Sequence, residues 1–240
     1  LYLPLTSPHT PLAVNQEWKD KSGLNPFADL VMETDAVVGR VLDALDTNGA
    51  SDNTLVFFTS DNGCAPYIGV KDLEAKGHHP SGPLRGYKAD AWEGGHRVPF
   101  IIRWPGIVAA GRECAQLVSQ ADLVRTLAEI WNIALPDSAG EDSFSLLPLL
   151  KGADAPIRKN AVSASVGGIP AVRKGSWKYI PAPGSGGWGN GGDQSQPVQL
   201  YTLAEDLSEA KNLAASMPEK VEEMGALLES LITQGRSTPG

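Results

Sequence analysis

The chain has 240 residues with 28 acidic and 20 basic side chains, which gives a formal net charge of −8. Hydrophobic residues make up 42% and charged residues 20%, a balance typical of a folded globular protein that excludes a disordered one. The acidic excess argues against a nucleic-acid-binding protein, and no apolar run reaches the roughly 18 residues that a membrane span requires.

The first sixty residues predict a strand, a helix and a second strand. The opening run LYLPL at residues 1–5 has the pattern of a buried strand without a leader, so we expect the chain to be a piece of a longer protein. Apolar residues recur at three- and four-residue spacing over 28–45, which predicts an amphipathic helix ended by Asn48 and Gly49. The run TLVFFT at 54–59 predicts a strand buried on both faces, and a helix that leads into such a strand favours a parallel sheet.

The middle of the chain contains one long segment without periodicity. Residues 61–95 are polar and rich in Gly and Pro, which predicts a functional loop. Strand character returns at 97–104, and residues 122–131 predict a second helix. The Pro-containing connection at 143–152 is the candidate boundary between a domain at 1–152 and a smaller one at 153–240.

The last ninety residues group several strands before one helix, which predicts a small α+β subdomain with antiparallel strands. After its last helix we expect a frayed tail at 234–240. The predicted elements are strands at 161–165, 171–180 and 198–203, a Gly-rich loop at 183–192, and a helix at 218–233.

Asp61 and Asn62 form a candidate metal site, because they follow the predicted strand at 54–59 directly. Open α/β sheets place ligands at the carboxyl ends of their strands, and carboxylate and amide oxygens suit Ca²⁺ or Mg²⁺. The alternative is a tight turn, since Asn-Gly is a strong turn dipeptide. The long loop that follows favours the ligand site over a two-residue hairpin.

His9 lies between Pro8 and Pro11, which stiffen the backbone on either side of the imidazole. Such a position suits a group that must hold a fixed direction, although a lone histidine in a loop is more often a surface or structural residue. The side chains of the adjacent His78 and His79 are expected to point in different directions and make a poor chelate, so we interpret them as loop residues.

Residues 82–99 concentrate three cations, Arg85, Lys88 and Arg97, among glycines in an otherwise acidic chain. Glycine lets the backbone approach closely and the cations neutralise charge, so the segment could bind a tetrahedral oxyanion. The alternative is a solvated loop in which Arg97 pairs with Glu93.

The order and spacing of these segments closely resemble the second half of a type I formylglycine-dependent sulfatase, an arylsulfatase of the alkaline-phosphatase-like superfamily. The segments that carry the resemblance are LYLPLTSPHTP at 1–11, NTLVFFTSDNG at 53–63, GPLRGYK at 82–88 and WEGGHRVPF at 92–100. It continues through SQADL at 119–123, SLLPLLKG at 145–152, AVRKGSWK at 171–178 and QLYTLAED at 199–206.

The resemblance implies a fold and a set of site residues. The fold is α/β, part of an alkaline-phosphatase-like sheet flanked by helices, followed by the small α+β subdomain. Asp61 and Asn62 are implied as two ligands of one Ca²⁺, with Mg²⁺ as the other possibility. Lys88 is implied to contact the sulfate, and His9 to contact it or to donate a proton to the departing oxygen. Arg85, Glu93 and Arg97 are interpreted as supporting groups.

The nucleophile of the family is absent from the sequence. Sulfatases make formylglycine in a Cys/Ser-x-Pro-x-Arg motif, and neither Cys64 nor Cys114, the only cysteines, has that context. Two cysteines also predict no disulfide framework and no thiolate metal cluster. We therefore expect formylglycine on a missing N-terminal half and this chain to be inactive alone. The whole protein is expected to cleave an aryl or carbohydrate sulfate ester in the periplasm or outside the cell, where such enzymes are commonly exported.

Two other functions stay open at this point. Phosphatases of the same superfamily bind two zinc ions through Asp and His, whereas the pair here is Asp61 and Asn62, which favours one hard cation. A non-catalytic module that binds sulfated glycans is the second alternative. Trp188 could stack on a sugar ring, although the Gly-rich loop that carries it is interpreted as a flexible surface loop.

Overall fold

The computed structural model describes residues 1–238, which form two antiparallel sheets and six α-helices. Within these residues no helix is both long enough and apolar enough to cross a membrane. The helices are α1 Pro26–Thr47, α2 Val70–Ala75, α3 Glu93–His96, α4 Asp122–Ile130, α5 Leu147–Leu150 and α6 Pro218–Gln234. The strands are β1 Val56–Thr59, β2 Phe100–Arg103, β3 Asn160–Ala164, β4 Pro170–Lys174, β5 Trp177–Ile180 and β6 Gln199–Thr202.

The predicted amphipathic helix at 28–45 is confirmed as α1. It begins after Asn25, whose side-chain oxygen accepts a hydrogen bond from the Ala28 N–H at 3.0 Å, and Pro26 occupies the first turn. It ends at Asn48, whose N–H donates a hydrogen bond to the Ala44 carbonyl. The first turns bury Ala28 and Leu30.

Strand β1 pairs with β2 in antiparallel register, so the parallel arrangement predicted for it is wrong. The prediction of burial on both faces is also wrong, because Phe58 and its register partner Ile101 share a face on which Ile101 is 60% exposed. An apolar run shows that a strand can be buried, but it does not specify the strand's partner.

Two other early predictions need correction. Residues 1–6 lie outside any helix or strand and leave Leu1 and Tyr2 exposed, since an apolar run becomes a strand only when its backbone groups find a partner. The segment at 61–95 contains α2 and the start of α3, which are too short to produce a visible period in the sequence.

The last part of the chain confirms the predicted antiparallel α+β arrangement. Its sheet has the strand order β3-β4-β5-β6, and the segment predicted as one strand at 171–180 is a hairpin that turns at Gly175. Side chains alternate between its two faces. One face packs Val172, Tyr179 and Leu200 against Met224 and Leu228 of α6. The opposite face packs Ala171, Ile180 and Tyr201 against Ala91 and Trp92, which precede α3.

A buried ion pair joins residues on either side of the predicted boundary after residue 152. The Asp122 carboxylate at the start of α4 pairs with Arg158 at 2.7 Å, and both side chains are almost fully buried. Asp122 also accepts hydrogen bonds from the N–H groups of Ser119 and Phe144. The boundary itself stays a prediction.

The predicted frayed tail is wrong for the residues that the structure describes. The Ser237 N–H donates to the Asp142 carboxylate at 2.8 Å, and the Thr238 N–H donates to the Glu141 carbonyl at 3.0 Å. Residues 239–240 lie outside the described residues.

Candidate active site

Asp61 and Asn62 occupy the turn that leaves the carboxyl end of β1, as the sequence predicts. The turn is fixed by the Ser60 hydroxyl, which donates to the Asn62 carbonyl at 3.0 Å, and by the Gly63 N–H, which donates to the Gly95 carbonyl at 3.0 Å. A Cβ on Gly63 would lie 1.8 Å from the Gly94 carbonyl oxygen, so the turn packs directly on the backbone of α3. The Asp61 side chain is exposed in this position.

Lys88 lies on the segment that packs beside this turn. Its N–H donates to the carbonyl of Cys64, two residues after Asn62, at 2.8 Å. The same segment packs against α3, since a Cβ on Gly95 would lie 2.1 Å from the Asp90 carbonyl oxygen. The structure therefore brings three of the four predicted site residues onto two backbone segments that are bonded to each other.

His9 is the predicted site residue that the contacts do not connect to the others. Its ring Nδ1 lies 2.7 Å from the Thr10 carbonyl, to which it donates, and this leaves Nε2 for another partner. Within residues 1–238 no hydrogen bond or ion pair joins His9 to Asp61, Asn62 or Lys88. Its role in the site stays a prediction.

The donor chemistry at the turn fits part of a calcium site. Asp61 offers carboxylate oxygens and Asn62 an amide oxygen, whereas Ca²⁺ takes six to eight oxygen ligands. Across residues 1–238 no group of three or more His, Cys, Asp or Glu side chains could hold a metal ion. These two residues could thus supply some of the ligands but not the whole set.

A buried ionic cluster of Glu93, Lys178 and Glu209 lies behind α3. The sequence pattern does not predict a role for Lys178 on β5 or for Glu209. The Lys178 ammonium donates to Glu93 Oε1 at 2.9 Å and lies 2.9 Å from Glu209 Oε1. Glu209 Oε2 in turn accepts the Glu93 N–H at 2.7 Å. All three side chains are at most 2% exposed. The cluster ties the first turn of α3 to the C-terminal sheet.

The pKa values of the two carboxylates in this cluster are shifted in opposite directions. Burial opposes the ionisation of Glu93, but Lys178 and the neighbouring cations outweigh it and hold the pKa of Glu93 below its ordinary value. Burial raises the pKa of Glu209, and Lys178 offsets this only in part. One lysine thus pairs with two carboxylates, and Glu93 has further cations beside it, Arg97 at 3.5 Å and Arg173 at 3.8 Å.

His96 borders the cluster and is kept neutral by it. Its Nε2 lies 3.2 Å from the Lys178 ammonium, which can donate to that nitrogen only when it is unprotonated. Burial, followed by repulsion from Lys178, lowers the pKa of His96 to about 4.

This titration predicts a window of acid sensitivity. In the unfolded chain a histidine takes a proton near pH 6.5, so between pH 6.5 and about 4 the unfolded state binds more protons than the folded state. The free energy of unfolding should therefore fall as the pH drops through this window. We expect a loss of about 1–2 kcal/mol, because the ring is 32% exposed and solvent screens part of the effect. Urea unfolding at pH 7 and pH 5 measures it.

The matched variants are His96→Gln, which removes the titrating group, and His79→Gln in the exposed loop, which leaves it. His96→Gln should lose less stability between the two pH values than the wild type, whereas His79→Gln should follow the wild type. Equal losses in all three proteins would contradict the assignment.

The sequence allowed Arg85 to bind an oxyanion, but its guanidinium contacts other protein groups. Its guanidinium stacks 3.7 Å from the ring centroid of Trp92, and its NH1 donates to the Glu209 carbonyl at 2.7 Å. Arg97 lies 3.5 Å from Glu93 Oε2, which is the pairing proposed in the alternative interpretation, although Glu93 is buried and not solvated. Both arginines make structural contacts, and their role as supporting groups of the site stays a prediction.

The Gly-rich loop at 183–192 is anchored to the Lys88 segment through Asp90, so its interpretation as a flexible surface loop is wrong. Asp90 Oδ1 accepts the Ser185 hydroxyl at 2.8 Å and the Gly189 N–H at 2.7 Å. Asp90 Oδ2 accepts the Tyr87 N–H at 2.8 Å. One buried carboxylate thus organises both segments.

Comparison with known proteins adds a family match. A family model described as Sulfatase matches residues 1–133. The chain is 37% identical to an N-acetylgalactosamine-6-O-sulfatase of Bacteroides thetaiotaomicron, covering 98% of this chain and 47% of that protein. It is 32% identical to human arylsulfatase A, covering 99% of this chain and 50% of that protein. The chain therefore spans about half the length of these curated relatives.

Solved structures share the same architecture. A Bacteroides thetaiotaomicron structure reported with the metabolism of multiple glycosaminoglycans has a TM-score of 0.84 at 34% identity, covering 95% of this chain and 48% of that chain. A phosphonate monoester hydrolase of Agrobacterium radiobacter has a TM-score of 0.60 at 25% identity, covering 87% and 41%. The fold is thus part of the alkaline-phosphatase-like architecture, as the sequence predicts.

Proposed function

Because the chain belongs to the sulfatase family, we propose that it forms one part of a sulfuric ester hydrolase that cleaves an aryl or carbohydrate sulfate ester. The observation that carries the proposal is the 2.8 Å hydrogen bond from the Lys88 N–H to the Cys64 carbonyl. It holds the backbone of Lys88 beside the segment that follows the turn of Asp61 and Asn62. A sulfate ester needs a concentration of positive charge, since negative charge lies on the sulfuryl oxygens throughout its cleavage.

In the proposed reaction each site residue has one role. Lys88 binds a sulfuryl oxygen and neutralises its charge. His9 donates a proton to the oxygen of the departing alcohol, which would otherwise leave as an unstable alkoxide. Asp61 and Asn62 would supply two of the ligands of a Ca²⁺ or Mg²⁺ ion, and such an ion would add positive charge at the sulfuryl oxygens.

The nucleophile of the reaction would come from outside these 240 residues. Neither Cys64 nor Cys114 has the sequence context for formylglycine, and the matched sulfatases are about twice as long as this chain. We propose that an N-terminal half of the same protein supplies formylglycine and the remaining metal ligands. The 240 residues alone would then have no sulfatase activity.

The names of the relatives cover both ester classes proposed for the substrate. One matched sulfatase acts on N-acetylgalactosamine 6-O-sulfate and another is an arylsulfatase, so both ester classes belong to the proposal. We also propose that the protein acts in the periplasm or outside the cell, where sulfated glycans are found.

The test uses the protein expressed together with the coding sequence that flanks these 240 residues. It compares sulfate release from sulfate monoesters with phosphate release from the matching phosphate monoesters, alongside the metal content. We expect faster sulfate release and about one calcium or magnesium ion at the site. Stoichiometric zinc with faster phosphate release would replace the proposal with a phosphatase. Binding of a sulfated glycan without release of sulfate would replace it with a binding module.

A further inference from the structure

Two large aromatic rings lie together on the surface of the described residues. The ring centroids of Tyr67 and Trp188 are 5.9 Å apart, with the planes tilted by 50°. Tyr67 is 51% exposed and Trp188 is 45% exposed. The two residues come from segments 121 positions apart in the sequence, so tertiary structure brings them together. Water-exposed aromatic rings in mutual contact are typical of a binding surface.

The backbone holds Trp188 in this position through the glycines on either side of it. A Cβ on Gly187 would lie 2.3 Å from the Ala89 carbonyl oxygen, and a Cβ on Gly189 would lie 2.2 Å from Asp90 Oδ2. The Gly189 N–H is also bonded to the Asp90 carboxylate at 2.7 Å. The loop therefore lies directly on the Lys88 segment. The indole ring of Trp188 projects from the loop toward solvent.

The backbone around Tyr67 is held just as firmly. Tyr67 is the central residue of the 3₁₀ turn Pro66–Ile68, whose neighbours Ala65 and Ile68 are buried. The Asn25 side-chain amide donates to the Ile68 carbonyl at 2.9 Å. The phenol ring thus points away from an anchored turn.

Both aromatic residues are tied to Lys88 by short paths through the backbone. Tyr67 lies three residues after Cys64, whose carbonyl accepts the Lys88 N–H at 2.8 Å. Trp188 follows Gly187, which packs on Ala89, the residue after Lys88. The aromatic pair therefore lies on two segments whose backbones contact residues 88–89, and Lys88 is the residue proposed to bind the sulfate.

We propose that Tyr67 and Trp188 form a platform that stacks against a pyranose ring of a carbohydrate sulfate ester. This inference rests on the proposed function and narrows its substrate class from aryl or carbohydrate esters to carbohydrate esters. The apolar C–H face of a pyranose packs on an aromatic ring, while its hydroxyl groups remain in water. About half of each ring is open to solvent, which suits a hydrated oligosaccharide that continues past the site.

The test replaces Trp188 with alanine in the protein that includes its flanking coding sequence. The matched control is Trp131→Ala, because Trp131 is 65% exposed and follows α4, away from the platform. The substrates are a chondroitin sulfate tetrasaccharide and 4-nitrophenyl sulfate. We expect the ratio of kcat/KM for the tetrasaccharide to kcat/KM for the aryl ester to fall about tenfold in Trp188→Ala, mainly through KM for the tetrasaccharide. Trp188→Phe should recover most of the loss.

The outcomes separate this inference from the proposed function. An unchanged ratio in Trp188→Ala, or an equal loss for both substrates, would overturn the platform while sulfate release still supports the sulfatase. If the wild type released sulfate from neither substrate, the proposed function would fail first. Calorimetric titration with the desulfated tetrasaccharide then tests the platform alone. Weaker binding by Trp188→Ala than by Trp131→Ala supports the platform, and equal binding overturns it.

Discussion

In a Lys88→Ala variant of the protein with its flanking coding sequence, we expect kcat for a sulfate ester to fall about 10²- to 10³-fold. The ammonium group is proposed to neutralise charge on the sulfuryl oxygens, and loss of one pre-organised donor to such a charge typically has this effect. The KM should change less, because the charge on the bridging oxygen and the sulfuryl group is largest in the transition state. Steady-state kinetics with 4-nitrophenyl sulfate measures both quantities.

The control for this variant is Lys71→Ala, which removes an exposed lysine of α2 in the same polar segment. It should keep the wild-type kcat. Lys88→Arg should recover only part of the activity, because a planar guanidinium cannot replace a compact ammonium group in the same space. If Lys88→Ala had the same kcat as Lys71→Ala, Lys88 would not belong to the proposed site.

Replacement of Lys178 with methionine should lower the free energy of unfolding by about 3–5 kcal/mol. Methionine keeps most of the volume of lysine but leaves Glu93 and Glu209 buried without the cation that lies 2.9 Å from each of them. Two carboxylates that close to each other then repel, and each has lost its hydration. Urea unfolding at pH 7, followed by far-UV circular dichroism, measures the change.

Lys174→Met provides the comparison, because Lys174 lies in the same sheet and pairs with Glu223 at 2.8 Å on the surface. That exposed pair should contribute no more than about 1 kcal/mol. Adding Glu209→Gln to Lys178→Met should restore part of the stability, since it removes one of the two buried carboxylates that had paired with Lys178. Equal losses for Lys178→Met and Lys174→Met would show that the buried cluster contributes no more than a surface pair.

The parts of the fold that sequence could predict are those encoded by local pattern. Helix α1 shows its apolar period and its stop at Asn48 within one continuous segment. The sequence predicts the turn at Asp61 and Asn62 for the same reason, because the strand and the polar pair are adjacent. The glycine-rich surroundings of Lys88 predict an oxyanion-binding segment, and the family resemblance implies that Lys88 contacts the sulfate.

The parts that sequence could not predict depend on partners that are distant along the chain. Lys178 reaches Glu93 across 85 positions, and nothing near either residue identifies the other. The pairing of β1 with β2 likewise depends on how the intervening segment folds back. The sequence does not identify Asp90 either, because its role depends on contacts with Ser185 and Gly189 in a loop about 95 positions away.

The glycine contacts beneath the site have a mechanical consequence. The turn of Asp61 and Asn62, helix α3 and the Lys88 segment are stacked backbone against backbone, at Gly63 on Gly94 and at Gly95 on Asp90. No side chain lies between these layers, so no change of rotamer can absorb a displacement of one relative to another. The spacing between the backbone of the Asp61–Asn62 turn and the backbone of Lys88 is therefore set by peptide geometry. Such a stack keeps these backbone segments in place when a substrate arrives, and it leaves the reorganisation to the side chains of Asp61, Asn62 and Lys88 and to water.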